Sequence, residues 1–336
     1  MTKKLGVGAI VIAILVSAGV FYGRIFKQSR VAPSDVPHMN THISQLLDAH
    51  SAADAYAIFK QEYAAASQPD QHTAAHIFGD HLYEKEGVDG FSICDGSFGF
   101  GCYHTFIPLA IADHGESVVQ ELDAACVRAY GEAGLGCSHG IGHGLIAHFG
   151  YGEGGLRSSL ALCKTLSWNR PYGGCRDGAF MEYNLRTMIT DPTLRGRPFT
   201  HDTAYQPCDS VDAASKSACY FNLPQWWQQA LPESSQKLST LGTLCAGVKS
   251  GASQTACFRG IGYAYVPLTS FDAARGISLC DSLSISHSQN VECREGVAWG
   301  LYADPAYRQS ATTACTQGLT KDDSARCLRE YLFTLQ

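Results

Sequence analysis

Histidine is concentrated in one part of this chain, and its spacing there is the strongest chemical signal in the sequence. Eight of the thirteen histidines lie between positions 72 and 148. They include two triplets of identical spacing, His72-x3-His76-x4-His81 and His139-x3-His143-x4-His148. In an α-helix, residues four apart lie on one face, whereas the third histidine of each triplet turns to the other side. The first two histidines of each triplet are therefore predicted as paired metal ligands, and the third is predicted to lie outside the site.

Further candidate ligands occupy equivalent positions in neighbouring segments. His104 and His139 each follow a cysteine by two residues, Asp177 holds the same position after the next such cysteine, and Glu182 lies about one turn further. If the helices that carry these residues pack side by side, their side chains converge on one surface. The predicted metal ligands are His72, His76, His104, His139 and His143. Asp177 or Glu182 is predicted beside them as a further ligand or as a general base.

This combination of imidazoles and carboxylates suits zinc, copper or iron. A metal in this position could activate water or cycle electrons, so the sequence predicts a His-rich metal site and, as one form of it, a metalloenzyme. His-Glu-x-x-His does not occur, so a zincin protease is not indicated. The alternative is that these histidines serve as core or capping residues, and that the repeated triplet records the duplication of a structural unit.

The cysteines indicate how the histidine-bearing segments are arranged. All fourteen fall into consecutive pairs: Cys94/Cys102, Cys126/Cys137, Cys163/Cys175, Cys208/Cys219, Cys245/Cys257, Cys280/Cys293 and Cys315/Cys327. Second cysteines of successive pairs are 34 to 44 residues apart. A period of this size is typical of a repeat built from two elements.

One unit shows what the two elements are. Apolar residues recur at helical spacing over residues 116–128, glycines interrupt the pattern at 131–136, and a second helical pattern runs from Cys137 to His148. The first cysteine ends helix A and the second begins helix B, so the two are neighbours in an antiparallel hairpin. The sequence therefore predicts seven disulfides, one within each pair. Closing a loop of about twelve residues stabilises a fold by roughly 3 kcal/mol in the chain-entropy model.

Glycine recurs three residues after the second cysteine in four units, at Gly140, Gly178, Gly260 and Gly296. Within a helix each glycine costs about 1 kcal/mol relative to alanine. That cost is tolerated where two backbones must approach closely, so the pattern predicts B helices packed side by side on one inner surface.

The predicted fold class is all-α, with tandem disulfide-braced helical hairpins that form an open superhelix or a closed α/α toroid. The architecture is similar to that of other disulfide-braced helical-repeat proteins, and the recurring Cys-x-x-Gly resembles the glycine-rich inner helices of α/α toroid enzymes. The zinc-ligand motifs of toroid enzymes of the lanthionine-cyclase kind do not occur here. Residues 1–30 are predicted as a membrane segment, 31–41 as a linker and 42–336 as the helical repeat domain.

The first thirty residues resemble a targeting segment. Two lysines precede an apolar run from Leu5 to Tyr22, which is just long enough to span a bilayer. We expect an uncleaved single-pass signal-anchor, and the alternative is a signal peptide cut near Ala18 with secretion of the rest. Regular paired cysteines behind an export signal indicate an oxidising compartment. The sequence therefore predicts an inner-membrane protein whose bulk lies in the periplasm.

The net charge of the chain indicates which kinds of partner it can bind. From Val31 onward the chain has 20 basic and 31 acidic residues, a net charge of about −11. An acidic body repels phosphate, so nucleic acid is excluded as a predicted partner. The second functional hypothesis is a non-enzymatic scaffold that binds a small molecule, a peptide, a glycan or an envelope protein on the concave face of the repeats.

Overall fold

Regular secondary structure in this protein is helical throughout its described part. The computed structural model describes residues 35–131, 134–167, 172–189, 192–194, 196–304 and 306–333. No β-strand occurs within these ranges. The prediction of an all-α fold is confirmed.

Most of the α-helices follow one another with short connections, and the longest connection lies between Leu185 and Ala213. In chain order they are α1 (Val36–Ala49), α2 (Ala52–Tyr63), α3 (Gln68–Glu86), α4 (Gly101–His114), α5 (Val119–Tyr130), α6 (Leu135–Phe149), α7 (Glu153–Cys163), α8 (Cys175–Leu185), α9 (Ala213–Ala230), α10 (Lys237–Ala246), α11 (Gly251–Tyr265), α12 (Ala273–Asp281), α13 (His287–Ala303), α14 (Ala311–Thr316) and α15 (Lys321–Phe333). Short 3-10 segments cover Gly87–Ile93, Gly115–Val118, Pro192–Leu194, His201–Thr203, Pro267–Thr269 and Arg308–Ser310.

Serine side chains begin several of these helices. Ser51 accepts a hydrogen bond from the third backbone N–H of α2 at 3.2 Å, and Ser67 does the same for α3 at 3.4 Å. Ser286 and Gln289 form a reciprocal capping box at the start of α13. Each cap satisfies an otherwise free N–H and contributes about 1 kcal/mol, so these local signals fix where the helices start.

The N-terminal part of the repeat domain differs from its prediction. Helix α1 begins at Val36, because Asp35 accepts a hydrogen bond from the N–H of His38 at 3.2 Å. Residues 36–41 of the predicted linker are therefore helical. The stretch from 42 to 66 contains the end of α1 and all of α2, with a break at His50 and Ser51. The predicted signal-anchor at 1–30 lies outside the described residues.

All seven predicted disulfides are present, each within its own pair. Their Cα–Cα separations lie between 5.4 and 5.8 Å. The second cysteine begins its helix in the first three pairs, as predicted. That prediction is wrong in the last four pairs, where the second cysteine is the seventh residue of its helix: Cys219, Cys257, Cys293 and Cys327. The first cysteine lies toward the end of a helix in most pairs. Cys94 and Cys208 are exceptions, because neither lies in an α-helix. In those two units an irregular segment takes the place predicted for the end of helix A.

The second helix of each hairpin packs against its equivalent in the next hairpin. We call α3, α4, α6, α8, α9, α11, α13 and α15 the B helices, and consecutive members of this series are in contact along the whole array. Glycine makes these contacts close. A Cβ at Gly178 would overlap the carbonyl oxygen of His139, and a Cβ at Gly296 would overlap that of Arg259. The predicted role of the recurring glycines is confirmed.

Aromatic side chains from several B helices lie close together. The ring of Trp299 on α13 lies 5.4 Å from that of Tyr172, which precedes α8, and 5.0 Å from that of Phe221 on α9. The Tyr263 ring on α11 lies 5.4 Å from Trp299 as well. Side chains from four successive parts of the row therefore meet in one cluster.

Within the described residues, none of the helices has both the length and the apolar character that crossing a bilayer requires.

The close helix contacts predict that replacing glycine by alanine changes the free energy of unfolding in opposite directions at two positions. Gly178→Ala should lower the free energy of unfolding by roughly 2 kcal/mol, because the added methyl forces α6 and α8 apart. Gly154→Ala on the outer helix α7 is the matched control, since nothing lies within 4 Å of its Cβ position. It should raise the free energy of unfolding by up to about 1 kcal/mol through helix propensity. Urea unfolding of both variants measures the difference, and equal effects would contradict the close-contact interpretation.

Candidate metal centre

Five histidines from three consecutive B helices meet on the inner face. His104 on α4 lies at the centre of the group. Its ring centroid is 5.1 Å from that of His72, 5.4 Å from His76, 5.3 Å from His139 and 5.6 Å from His143. The sequence analysis grouped these five residues, and the structure brings all of them together.

Three of the five form a set with the dimensions of a metal site. One ring nitrogen from each of His72, His76 and His104 lies within 4.8 Å of the other two. The Nε2 atoms of His72 and His76 are 3.1 Å apart. Two nitrogens bound tetrahedrally to one zinc ion are separated by roughly 3.3 Å, so this pair already has nearly the required spacing. We call these residues the three-histidine site.

Hydrogen bonding decides which nitrogens of this site carry lone pairs. Nδ1 of His72 lies 2.8 Å from the backbone carbonyl oxygen of Phe98. A carbonyl only accepts, so Nδ1 of His72 donates its proton there, and the Nε2 lone pair faces His76. The Nε2 atom of His104 is buried and has no hydrogen-bond partner. Buried polar atoms without partners are uncommon, and in the tautomer that protonates Nδ1 this nitrogen presents its lone pair to a metal ion.

A strained loop supplies the carbonyl of Phe98. Phe98 and Phe100 both have left-handed backbone conformations, with φ of 54° and 61°. Such conformations cost roughly 1–2 kcal/mol each in residues other than glycine. The Cys94–Cys102 disulfide closes this loop at the start of α4. The covalent closure stabilises a strained segment whose carbonyl orients a candidate ligand.

The second histidine pair is held differently. Nε2 of His139 and Nε2 of His143 are 3.0 Å apart. Nδ1 of His139 lies 3.2 Å from a carboxylate oxygen of Asp177, and Nδ1 of His143 lies 2.9 Å from one of Glu182. Both carboxylates are buried, with 4% and 0% of their surface exposed. Each imidazole of the pair therefore has its own buried carboxylate on α8.

Glu182 is saturated with donors. Its two oxygens accept hydrogen bonds from Nδ1 of His143, the hydroxyl of Tyr151 at 2.6 Å, the backbone N–H groups of Thr187 and Met188, and the Thr187 hydroxyl. Burial alone would raise the pKa of this carboxyl, but the hydrogen bonds outweigh burial and lower it. Glu182 is thus a fixed anion with its lone pairs in use. That arrangement suits a positioning residue and leaves little capacity for the predicted roles of ligand or general base.

Asp177 is held by a second contact. Its other carboxylate oxygen accepts a hydrogen bond of 2.5 Å from the side-chain amide of Asn222 on α9. Asn222 in turn donates to the carbonyl of Ala218 in its own helix. Asp177 therefore has both oxygens engaged, one by His139 and one by the neighbouring B helix.

Four imidazoles of the cluster favour their neutral form. Burial, followed by repulsion from neighbouring histidines, lowers the pKa of His76 and His104 well below the usual value. Burial also lowers the pKa of His72 and His143, although the Phe98 carbonyl and Glu182 respectively act in the opposite direction. Metal binding requires neutral imidazole, so these residues keep their lone pairs available at neutral pH.

The third histidine of each triplet lies apart from the cluster, as predicted. His81 contacts Asn40 at 2.7 Å and Glu84 at 3.1 Å. His148 is exposed at the end of α6 and packs beside Phe149. Helical periodicity alone separated these two residues from the four that face inward.

Several contributing residues escaped the sequence analysis. They are the carbonyl of Phe98, the side chains of Asn222, Tyr151 and Thr187, and the carboxylate of Asp304. The negative charge of Asp304 acts to raise the pKa of His72. None of these residues belongs to a metal-ligand motif. None stands at the position, two residues after the second cysteine of a pair, where the candidate ligands recur. No sequence signal singled them out, because each reaches the site only through tertiary packing.

No protein-family model, no curated protein and no solved structure matches this chain.

The lowered pKa values predict how stability depends on pH. In the metal-free protein, unfolded histidines bind protons below a pH of about 6.5, whereas the folded cluster does not. The free energy of unfolding should therefore fall with falling pH, by roughly 1 kcal/mol per pH unit for each histidine that stays neutral. Urea unfolding of the metal-free protein, prepared with a chelator and monitored by circular dichroism between pH 7.5 and 5.5, measures this slope.

Two variants provide the comparison. His104→Gln removes one of the buried neutral imidazoles. The slope of its unfolding free energy against pH should therefore be shallower than that of the wild type, by the contribution of about one proton. His148→Gln changes an exposed histidine outside the cluster and should keep the wild-type slope. A wild-type stability that is constant over this pH range would contradict the neutral cluster.

Proposed function

We propose that this protein binds a divalent transition-metal ion at the three-histidine site. The observation that carries the proposal is the convergence of His72, His76 and His104, whose ligand nitrogens lie within 4.8 Å of one another. The buried, unpartnered Nε2 of His104 and the fixed tautomer of His72 support it. Neutral imidazole is a ligand for zinc, copper and iron, so the metal is one of these three.

The ligand set suits an exchangeable coordination position. Three protein ligands leave a fourth position of a tetrahedral ion for water or a substrate atom, which is the pattern of catalytic rather than structural zinc sites. A metal held in this way lowers the pKa of bound water. We therefore propose a metalloenzyme, in which these three histidines hold the ion and the buried carboxylates Asp177 and Glu182 position neighbouring imidazoles.

We further propose that the B helices form a tightly curved superhelix whose two ends approach each other. The aromatic cluster around Trp299 supports strong curvature between α8 and α13. The charge of Asp304, directly after α13, acts on His72 of α3, the first B helix. A concave face closed in this way keeps the metal in a confined space, where electrostatic interactions are stronger than in open water.

The location of the protein is part of the proposal. Seven disulfides and no free cysteine among the described residues support folding in an oxidising compartment. The apolar run Leu5–Tyr22 supports a single-pass inner-membrane anchor, with the helical body in the periplasm. In membrane fractionation the full chain should remain with the membrane after a carbonate wash. Recovery of the chain in the soluble fraction would favour secretion after cleavage near Ala18.

A binding scaffold is the second candidate function. A cavity of about 340 Å³ lies between B helices of the later repeats, and its lining includes Tyr172, Thr255, Arg259, Glu292 and Glu295. Both charge signs and an aromatic ring suit a polar ligand with acidic and basic groups, such as a peptide. This candidate requires no metal, so metal content separates it from the first.

Elemental analysis tests the metal proposal directly. The full chain, purified in detergent with its disulfides intact, should retain at least one equivalent of zinc, copper or iron after desalting. His104→Ala and His72→Ala/His76→Ala should each lose the ion from the three-histidine site, because fewer than three protein nitrogens remain there. The expected loss is one equivalent per chain.

A matched control uses the histidines outside the cluster. His81→Ala/His148→Ala removes the third member of both triplets and should keep the wild-type metal content. Circular dichroism confirms that each variant is folded. Wild-type protein with no metal above trace levels, even after incubation with Zn²⁺, would exclude the metal function and favour the scaffold.

A further inference from the structure

The pair His139/His143 has an arrangement that the three-histidine site does not explain. Both Nδ1 atoms face carboxylates, at 3.2 Å for His139 and 2.9 Å for His143. Nδ1 of His143 donates a hydrogen bond to Glu182. An ionised carboxylate repels a lone pair, so in a neutral His139 the proton is likewise favoured on the Nδ1 atom that faces Asp177. In a neutral imidazole the other nitrogen then has a lone pair. The two Nε2 atoms, 3.0 Å apart, therefore point lone pairs at each other.

Two lone pairs at this distance repel each other unless a positive charge lies between or beside them. The pair His72/His76 differs, because no acceptor among the described hydrogen bonds fixes the tautomer of His76. There, Nε2–H of His76 can donate to Nε2 of His72 with both rings neutral. The contact between His139 and His143 is the one that requires an additional cation.

One ion in the three-histidine site cannot supply that charge. Nitrogen ligands of a zinc ion lie about 2.0–2.1 Å from it, so no two of them are more than roughly 4.2 Å apart. Among the described residues, His72, His76 and His104 form the one set of three or more ligand residues whose ligand atoms all lie within 4.8 Å of one another, and neither His139 nor His143 joins it. The pair His139/His143 therefore lies beyond the reach of that ion.

Charge balance favours a divalent ion over a proton. Asp177 and Glu182 place two negative charges in a buried region, and the ion-pair partners of both, within the described ranges, are His139 and His143. A shared proton would balance one of these charges, whereas a divalent cation balances both. Hydrogen bonds from metal-bound histidines to carboxylates are also the usual way in which proteins orient such ligands.

From this geometry we propose that His139 and His143 bind a second divalent transition-metal ion, adjacent to the three-histidine site. Asp177 and Glu182 act as positioning residues that direct both lone pairs at the ion. Two protein nitrogens leave coordination positions for water. The protein is then a two-metal protein, in which His104 separates a three-histidine position from a two-histidine position.

Titration with Zn²⁺ against a chromophoric chelator tests the stoichiometry on the full wild-type chain in detergent. We expect two equivalents per chain. His139→Ala/His143→Ala should bind one, and His72→Ala/His76→Ala should also bind one. His81→Ala/His148→Ala, the control outside the cluster, should bind two. Asp177→Asn should weaken only the second equivalent, by about 10- to 100-fold.

The wild-type result keeps the proposal testable even where a variant does not fold. A wild-type stoichiometry of one, or a folded His139→Ala/His143→Ala variant that still binds two ions, would overturn it. Long-range proton–nitrogen NMR on wild-type protein adds a second measurement. Addition of the second equivalent should shift the Nε2 resonances of His139 and His143, and unchanged resonances would show a shared proton instead. The proposed function fails separately, if a folded variant without His72, His76 and His104 still binds two equivalents.

Discussion

The distance between neighbouring B helices is the constraint on which the rest of the structure depends. At Gly178 and its equivalents, one helix rests directly against a backbone carbonyl of the previous one, and no side chain separates them. This spacing is shorter than packed side chains normally allow. It lets imidazoles from α3 and α6 lie with their ring centroids within 5.6 Å of that of His104 on α4. With larger residues at these contacts, the histidines would belong to separate surfaces.

The two halves of the histidine cluster are stabilised by different physical means. His72 is oriented by a backbone carbonyl in a loop that a disulfide closes, so its surroundings are neutral. His139 and His143 are oriented by buried carboxylates that receive further hydrogen bonds from Asn222, Tyr151 and Thr187. A cation has a different energy in these two environments, because fixed negative charge is close to one position and distant from the other.

The features that the sequence predicted correctly are those that depend on local spacing. Three of these features follow from geometry within one unit. They are the disulfides between cysteines 8 to 13 positions apart, the histidines four apart on a helix, and the glycines at a fixed offset from cysteine. The roles of Asp177 and Glu182 do not follow from geometry within one unit. Their proximity to the histidines followed from the period, but their saturation with donors depends on residues up to 45 positions away. The irregular units around Cys94 and Cys208 escaped prediction for a similar reason, since a disulfide needs two neighbouring Cβ atoms and does not need a helix on each side.

The register set by the disulfides gives the array a modular inner face. Each bridge ties a B helix to the segment that precedes it, and in six units the residue two positions after the second cysteine is buried or half-buried. Along the chain these residues are His104, His139, Asp177, Phe221, Arg259 and Glu295. A single codon change at one of these positions replaces one group on the inner face, while the bridge and the glycine contact that hold the helix stay intact. Ligand chemistry and fold stability can therefore evolve independently, so a histidine-rich half and an aromatic, mixed-charge half can coexist on one scaffold.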